Sequence, residues 1–268
     1  MNRLSSWLVA GLLSVSALPL HAAVQTRVIH YKAADGTQLR GYFAWDDAIT
    51  GKRPGVVVVH EWWGLNDYAQ RRARELAGLG YSALAIDMYG DGQTASNPKD
   101  AGHLMHTVVD NPEDQYARSL AGVELLRQQP EVDASQIAAI GYCFGGKMVL
   151  DMARRNMNLA GVVSFHGALA TATRAEKGKI KAGVMVLNGE ADSFIPQEDI
   201  DALKTEMKAA GADFSFVNYP GAKHGFTSPD ADKLAKEHGM DIAYDPDADA
   251  DSWARMQTFF KRIFKHTP

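Results

Sequence analysis

Cys143, the one cysteine in the chain, stands in Gly141-Tyr142-Cys143-Phe144-Gly145-Gly146. The apolar run Ile137-Ala138-Ala139-Ile140 precedes it and a helical pattern, Lys147 to Arg154, follows. This reads as strand, sharp turn and helix, with a Gly-x-nucleophile-x-Gly pattern that carries a thiol at its apex. Small residues at Gly141 and Gly145 let strand and helix approach, while the turn strains the nucleophile's backbone. The sulfur is then expected at the carboxyl end of a sheet, beside a helix N-terminus whose partial positive charge favours a thiolate. Free cysteines are most often small buried hydrophobes; the surrounding turn is what argues for chemistry here.

A thiol nucleophile needs a base, and the base needs an orienting acid. In a strand-turn-helix scaffold of this kind the chain order is nucleophile, acid, histidine. Asp192 fits the acid: it follows an apolar run, Gly183 to Leu187, in a loop closed by Ile195-Pro196. Glu190 is its neighbour and competitor. His224 fits the base, after the last apolar run and Pro220-Gly221. The oxyanion is expected on two backbone N–H groups, that of Phe144 and one from His60-Glu61-Trp62-Trp63-Gly64-Leu65, with Trp62 as the candidate. His60-Glu61 lacks the second histidine of a zinc-protease motif, because Gly64 stands where it should be. No metal or cofactor is expected. His166, at the end of another strand, reads as structural. Asp245, Asp247, Asp249 and Asp251 read as solvated charge before a terminal helix, since they lack the spacing of a calcium loop.

These residues need a scaffold. Val24 to Tyr31 and Leu39 to Trp45 alternate around Asp35-Gly36 and predict a hairpin. Val56-Val57-Val58-Val59 suits a strand buried on both faces. Asn66 to Leu79 predicts a helix capped at Asn66 or Asp67 and stopped by Gly80, and Tyr81 to Ile86 predicts another buried strand. Met88 to Asn111 is a long Gly-, Asp- and Pro-rich stretch with a short helical pattern, the kind of segment that forms lids and binding loops. Helices are predicted over Pro112 to Gln129, Gln197 to Ala210 and Ser252 to Lys265. Strands are predicted over Leu159 to Phe165, Gly183 to Leu187 and Phe214 to Tyr219. Alternating strands and helices predict an α/β fold with a mostly parallel central sheet and helices on both faces.

At 268 residues, 46% of them hydrophobic, the chain can bury a full core as one domain. Its net charge of −4, with no basic cluster beyond the leader, argues against nucleic-acid and anionic-membrane partners. Arg3, the apolar stretch Leu4 to Leu18 and His21-Ala22-Ala23 read as a secretory signal peptide over residues 1–23, with a mature domain over 24–268. The expectation is an exported, periplasmic or secreted protein without stable membrane association, and a monomer. One cysteine forms no internal disulfide after export, so the thiol is either used or shielded.

Taken together, His60-Glu61-Trp62-Trp63-Gly64-Leu65, Ala85-Ile86-Asp87-Met88-Tyr89, the Cys143 turn, Gly189-Glu190-Ala191-Asp192 and Ala222-Lys223-His224-Gly225-Phe226 resemble the dienelactone hydrolase family from about Thr26 to Phe264. The resemblance implies an α/β-hydrolase fold. It implies a Cys143, Asp192, His224 triad, which selects Asp192 over Glu190. It also implies that Glu61 contacts the nucleophile and helps generate the thiolate when substrate binds. The expected reaction is hydrolysis of a small-molecule ester or lactone through an acyl-enzyme. Competing readings are a non-catalytic periplasmic binding or interaction protein on the same fold, and a thiol peptidase or acyltransferase. Trp62, Trp63, Tyr89 and Phe144 point to an apolar or aromatic acyl pocket. One departure stands out. Family members that open dienelactones hold the substrate carboxylate with arginines, where this chain has Gly90-Asp91 and Ser228. Lys99 and Lys223 are the cations that could replace them.

Overall fold

The computed structural model describes residues 24–265. The predicted signal peptide lies outside the described residues. A hairpin comes first: β1 (Val24–Lys32) and β2 (Gln38–Asp46) pair antiparallel from Val24↔Asp46 to Lys32↔Gln38. Asp35 makes its turn, accepting from the Thr37 N–H at 2.9 Å. The other strands are β3 (Arg53–Val59), β4 (Ser82–Ile86), β5 (Val132–Tyr142), β6 (Gly161–Phe165), β7 (Gly183–Gly189) and β8 (Phe214–Tyr219). The order across the sheet is β1-β2-β4-β3-β5-β6-β7-β8. β3 through β8 pair parallel, and only the hairpin runs antiparallel to its neighbour β4. This is the expected α/β sheet with the hairpin at one edge.

The helices are α1 (Asp67–Gly78), α2 (Pro98–Val109), α3 (Pro112–Arg127), α4 (Phe144–Arg154), α5 (Gln197–Ala210), α6 (Ala231–His238) and α7 (Pro246–Ile263). Alternation along the strands divides the core into two. Val57 and Val59 face one side with Val123 of α3, Met148 of α4 and Leu203 of α5, whereas Val56 and Val58 face the other with Leu76 of α1 and Phe259 of α7. Covering both faces removes the apolar side chains of the central strands from water at roughly 25 cal/mol per Å². Among the described residues, no helix is long and apolar enough to cross a membrane.

Helix α1 buries Ala69, Arg72, Ala73, Leu76 and Ala77, the spacing of one helical face, and Asn66 caps it by accepting from the Ala69 N–H. A cation on that buried stripe needs partners. Arg72 has them in Glu75 at 2.9 Å, in Asp249 and in the rings of Tyr68, Tyr142 and Trp253. Two segments differ from expectation. The terminal helix begins at Pro246, not Ser252, because Asp245 accepts from the Asp247 and Ala248 N–H groups and puts Asp247 and Asp249 in the first turn. The acidic run is thus largely helical. α6 was not anticipated: it is only eight residues long and Ala231 alone is fully buried, although Ala231, Leu234, Ala235 and His238 make one less exposed face.

Candidate active site

The Cys143 turn joins β5 to α4 as its sequence predicts. Cys143 has φ +53° and ψ −116°, a backbone that costs a non-glycine residue on the order of 1–3 kcal/mol. The close approach is backbone on backbone: a Cβ at Gly141 would run into the Gly145 carbonyl, and one at Gly145 into the Val59 carbonyl. Phe144 is the first residue of α4, so its N–H has no intrahelical acceptor and points out of the helix end with Cys143.

Asp192 and His224 arrive on the loops after β7 and β8. His224 Nδ1 donates to Asp192 Oδ2 at 2.8 Å, and Asp192 Oδ1 accepts from the Phe194 N–H at 2.9 Å. Both carboxylate oxygens are satisfied, the Asp192 side chain is fully buried, and Nε2 of His224 is left free for Cys143. Glu190 is exposed on the same loop and takes no part. Burial alone would lower the His224 pKa. The Cys143 charge and the hydrogen bonds to Asp192 and Cys143 outweigh it and raise the pKa to about 10. A cationic imidazole beside the sulfur is the electrostatic partner that a thiolate requires.

Glu61 follows β3 and lines the same cavity as Cys143 and His224. Burial raises its pKa to about 7, against the opposing charges of His224 and Arg72. Its neighbour His60 is fully buried and ties the loop down: Nδ1 donates to the Glu61 carbonyl at 2.5 Å and Nε2 accepts from the Met88 N–H at 3.2 Å. With both ring nitrogens engaged, His60 is a brace. Asp87 does the same for the next loop, accepting from the N–H groups of Tyr89, Gly90 and Gly92 at 2.8–3.0 Å.

The cavity over Cys143 measures about 360 Å³. Trp62 and Trp63 line it, as expected. Tyr89 does not: it lies behind the wall, packed on His60 and Phe144, and its hydroxyl donates to the Trp62 carbonyl at 2.9 Å. The second strand-end loop thereby orients the turn that carries the Trp62 N–H. Phe144, also expected among the pocket aromatics, is 4% exposed and outside the lining.

Three groups of residues were not assigned to the site from the sequence, although the first draws on the Met88 to Asn111 segment expected to form a lid or binding loop. Pro98 and Met105 of α2 and Leu234 and His238 of α6 line the cavity, followed by Met240 and Ile242. Phe194 stands at the mouth, 55% exposed, with its ring edge on His224. His166 lies beneath Cys143, its Nδ1 accepting from the Cys143 N–H at 3.2 Å. The signal for His166 was available, since it follows a buried strand at the carboxyl end of the sheet, where open α/β sheets carry their sites. Among the described residues no lysine or arginine lines the cavity. Lys223 is turned to Asp241 at 2.6 Å. Gly90 has φ +102°, a backbone in which an arginine would be strained, and Ser228 is in the lining.

Comparison with known proteins agrees with this geometry. Residues 39–264 match the model of the dienelactone hydrolase family. The protein usf of Aquifex pyrophilus is 30% identical over 239 residues, covering 85% of this chain and 94% of its own. A Yersinia pestis protein, provisionally named a carboxymethylenebutenolidase, is 30% identical over 257 residues and covers 90% and 91% of the two chains. Among solved structures, a dienelactone hydrolase-like promiscuous phosphotriesterase from metagenomic libraries superposes with a TM-score of 0.84 at 37% identity, over 90% of this chain and 99% of that one. With the parallel sheet, the strained turn at Cys143 and the loops that converge on it, these likenesses establish that the chain is a carboxylic ester hydrolase with the α/β-hydrolase fold and belongs to the dienelactone hydrolase family.

Proposed function

We propose that the protein is a cysteine-dependent hydrolase of ester or lactone bonds that works through Cys143, His224 and Asp192. The observation that carries this reading is His224 held between the buried Asp192 carboxylate and Cys143, with its proton affinity raised by both. The Cys143 thiolate adds to the carbonyl carbon, and the carbonyl π electrons move to oxygen. The backbone N–H groups of Phe144 and Trp62 receive that oxyanion; one such donor is typically worth about 3 kcal/mol. Collapse breaks the C–O bond, and the His224 imidazolium gives its proton to the departing oxygen, which in a lactone stays tethered to the acyl group. Neutral His224 then takes a proton from water as the hydroxide oxygen attacks the thioester, and the sulfur leaves as thiolate. Asp192 keeps His224 in the tautomer that presents Nε2. Glu61 assists formation of the thiolate. No cofactor is needed in this scheme.

Turnover of p-nitrophenyl esters by the purified protein, measured before and after alkylation of the single thiol, tests the reading. Loss of turnover in step with alkylation is expected. Ligand binding without turnover would instead favour the non-catalytic alternative.

We further propose that neutral substrates are preferred over carboxylated ones. A carboxylate entering this cavity gives up water, finds no lysine or arginine in the lining, and meets Glu61. For a matched pair, the methyl ester is expected to exceed the free carboxylate in kcat/KM. A strong preference for the carboxylate would overturn this and direct a Lys→Met scan to Lys99 and Lys223.

The chain is also proposed to be exported, from its first 23 residues. N-terminal sequencing of the protein from its native host is expected to begin near Ala23 or Val24; an intact Met1 on a membrane-bound form would count against export as a soluble protein.

A further inference from the structure

His166 directly follows β6 in a left-handed backbone, φ +39°, and is fully buried. The Cys143 N–H donates both to the Phe165 carbonyl at 3.0 Å and to His166 Nδ1 at 3.2 Å. A ring nitrogen that accepts from an N–H carries no proton itself, so the ring proton is on Nε2. Nε2 lies 2.8 Å from Thr227 Oγ1 and donates to it. The Thr227 hydroxyl, having accepted from His166, gives its own proton to Tyr68 Oη at 2.6 Å. The Tyr68 hydroxyl proton goes to the Thr227 carbonyl at 3.2 Å, which also receives Arg72 Nη2 at 3.0 Å. With the Cys143 N–H donating to Nδ1, one arrangement of protons, Nε2–H on His166, satisfies the whole chain from Arg72 to the Cys143 backbone.

The surroundings leave no room for a second proton on the ring. A proton on Nδ1 would point at the Cys143 N–H. His224 packs edge-on at 5.2 Å between ring centroids, Phe226 at 5.2 Å and Tyr142 at 6.1 Å. Burial first, then the positive charges of His224 and Arg72, hold the His166 pKa well below the usual histidine value. Neutral His166 spares the His224 imidazolium a second cation against its face.

We propose that His166 is a positioning residue for the nucleophile: a neutral Nε2–H imidazole, fixed in that tautomer by Thr227, that grips the Cys143 N–H and holds the left-handed turn aiming the thiol at His224. The inference rests on the reading of Cys143 as nucleophile, and it adds a residue that acts through the backbone without touching substrate.

The test has a spectroscopic and a kinetic arm. In the intact protein labelled with ¹⁵N-histidine, His166 is expected to show the neutral Nε2–H tautomer from about pH 5 to about pH 8, the range in which an ordinary histidine titrates. A protonated or Nδ1–H His166 in that range overturns the proposal. His166→Phe keeps the ring packing and removes both nitrogens. It is expected to lower kcat about tenfold to a hundredfold with KM within about twofold, since small misplacements of reacting groups cost rate. His166→Asn, whose amide oxygen can accept from the Cys143 N–H, is expected to recover most of that loss. Thr227→Val should lower kcat as well and allow the Nδ1–H tautomer to appear in the spectrum; it serves if His166→Phe fails to fold. An unchanged kcat in either variant, or loss in His166→Asn equal to that in His166→Phe, defeats the positioning role. Cys143→Ala separates the two readings. If it retains turnover, the nucleophile assignment fails. If it is inactive while His166→Phe is normal, only the present inference fails.

Discussion

Replacement of Cys143 by alanine is expected to abolish ester and lactone hydrolysis and to leave the fold intact. The side chain is only partly buried and stands at the helix end, so truncating it opens little new cavity in the core. The catalytic loss should be large because the acyl-enzyme route disappears altogether. Removing a nucleophile that works as a unit with its base costs on the order of a millionfold in kcat. Cys143→Ser is expected to fall far below wild type too. An alcohol must be deprotonated by a base during attack, whereas His224 here is suited to an ion pair: its pKa is raised in large part by the Cys143 charge, which serine would not supply. Turnover of p-nitrophenyl esters by purified variants, alongside their circular dichroism and Tm, makes the measurement. Undiminished turnover in Cys143→Ala would remove the mechanism.

Glu61→Gln is expected to make the protein more stable at pH 8 while slowing it. The folded-state pKa of Glu61 is raised from 4.5 to about 7, chiefly by burial. The folded protein therefore binds this proton more tightly than the unfolded chain does. Its contribution is most favourable below pH 4.5 and is lost as pH rises through about 7. At 1.36 kcal/mol per pH unit the loss amounts to about 3 kcal/mol, which a neutral isostere avoids. For a chain of this size that corresponds to roughly 6 to 12 °C in Tm at pH 8. The advantage should shrink as pH falls toward 4.5. Melting curves of both proteins across this range test it, and an equal Tm at pH 8 would show that the carboxylate is not held at a cost. The accompanying loss of kcat is expected from the proposed role of Glu61 in forming the thiolate. Sites that hold groups in unfavourable states for chemistry commonly show this opposition of stability and activity.

Much of the molecule is legible in its sequence. The strand-turn-helix at Cys143 needs only short-range sterics: the glycines at 141 and 145 and the apolar run before them dictate the local backbone wherever the segment lies. α5 and β8 have the bounds that their periodicity predicts, and the hairpin, β7 and α1 fall within a residue or two of theirs. The loops of Asp192 and His224 follow from strand ends, because a parallel sheet brings the carboxyl ends of its strands to one edge. The walls of the cavity were not legible in the same way. Tyr89 looked like a pocket residue, yet β4 lies outside β3 in the sheet, which sets its loop behind the Trp62 turn. α6 lines the cavity with the face that carries Ala231, Leu234 and His238, a stripe on a helix of eight residues, too short to stand out in the sequence. His166 lay at a recognisable position, but its grip on the Cys143 N–H and its lock by Thr227 join β5, β6 and the loop after β8. Local sequence determines the conformation of a short segment through sterics and periodicity. Which distant segments meet around the thiol is decided by sheet order and packing, through contacts that no local pattern encodes.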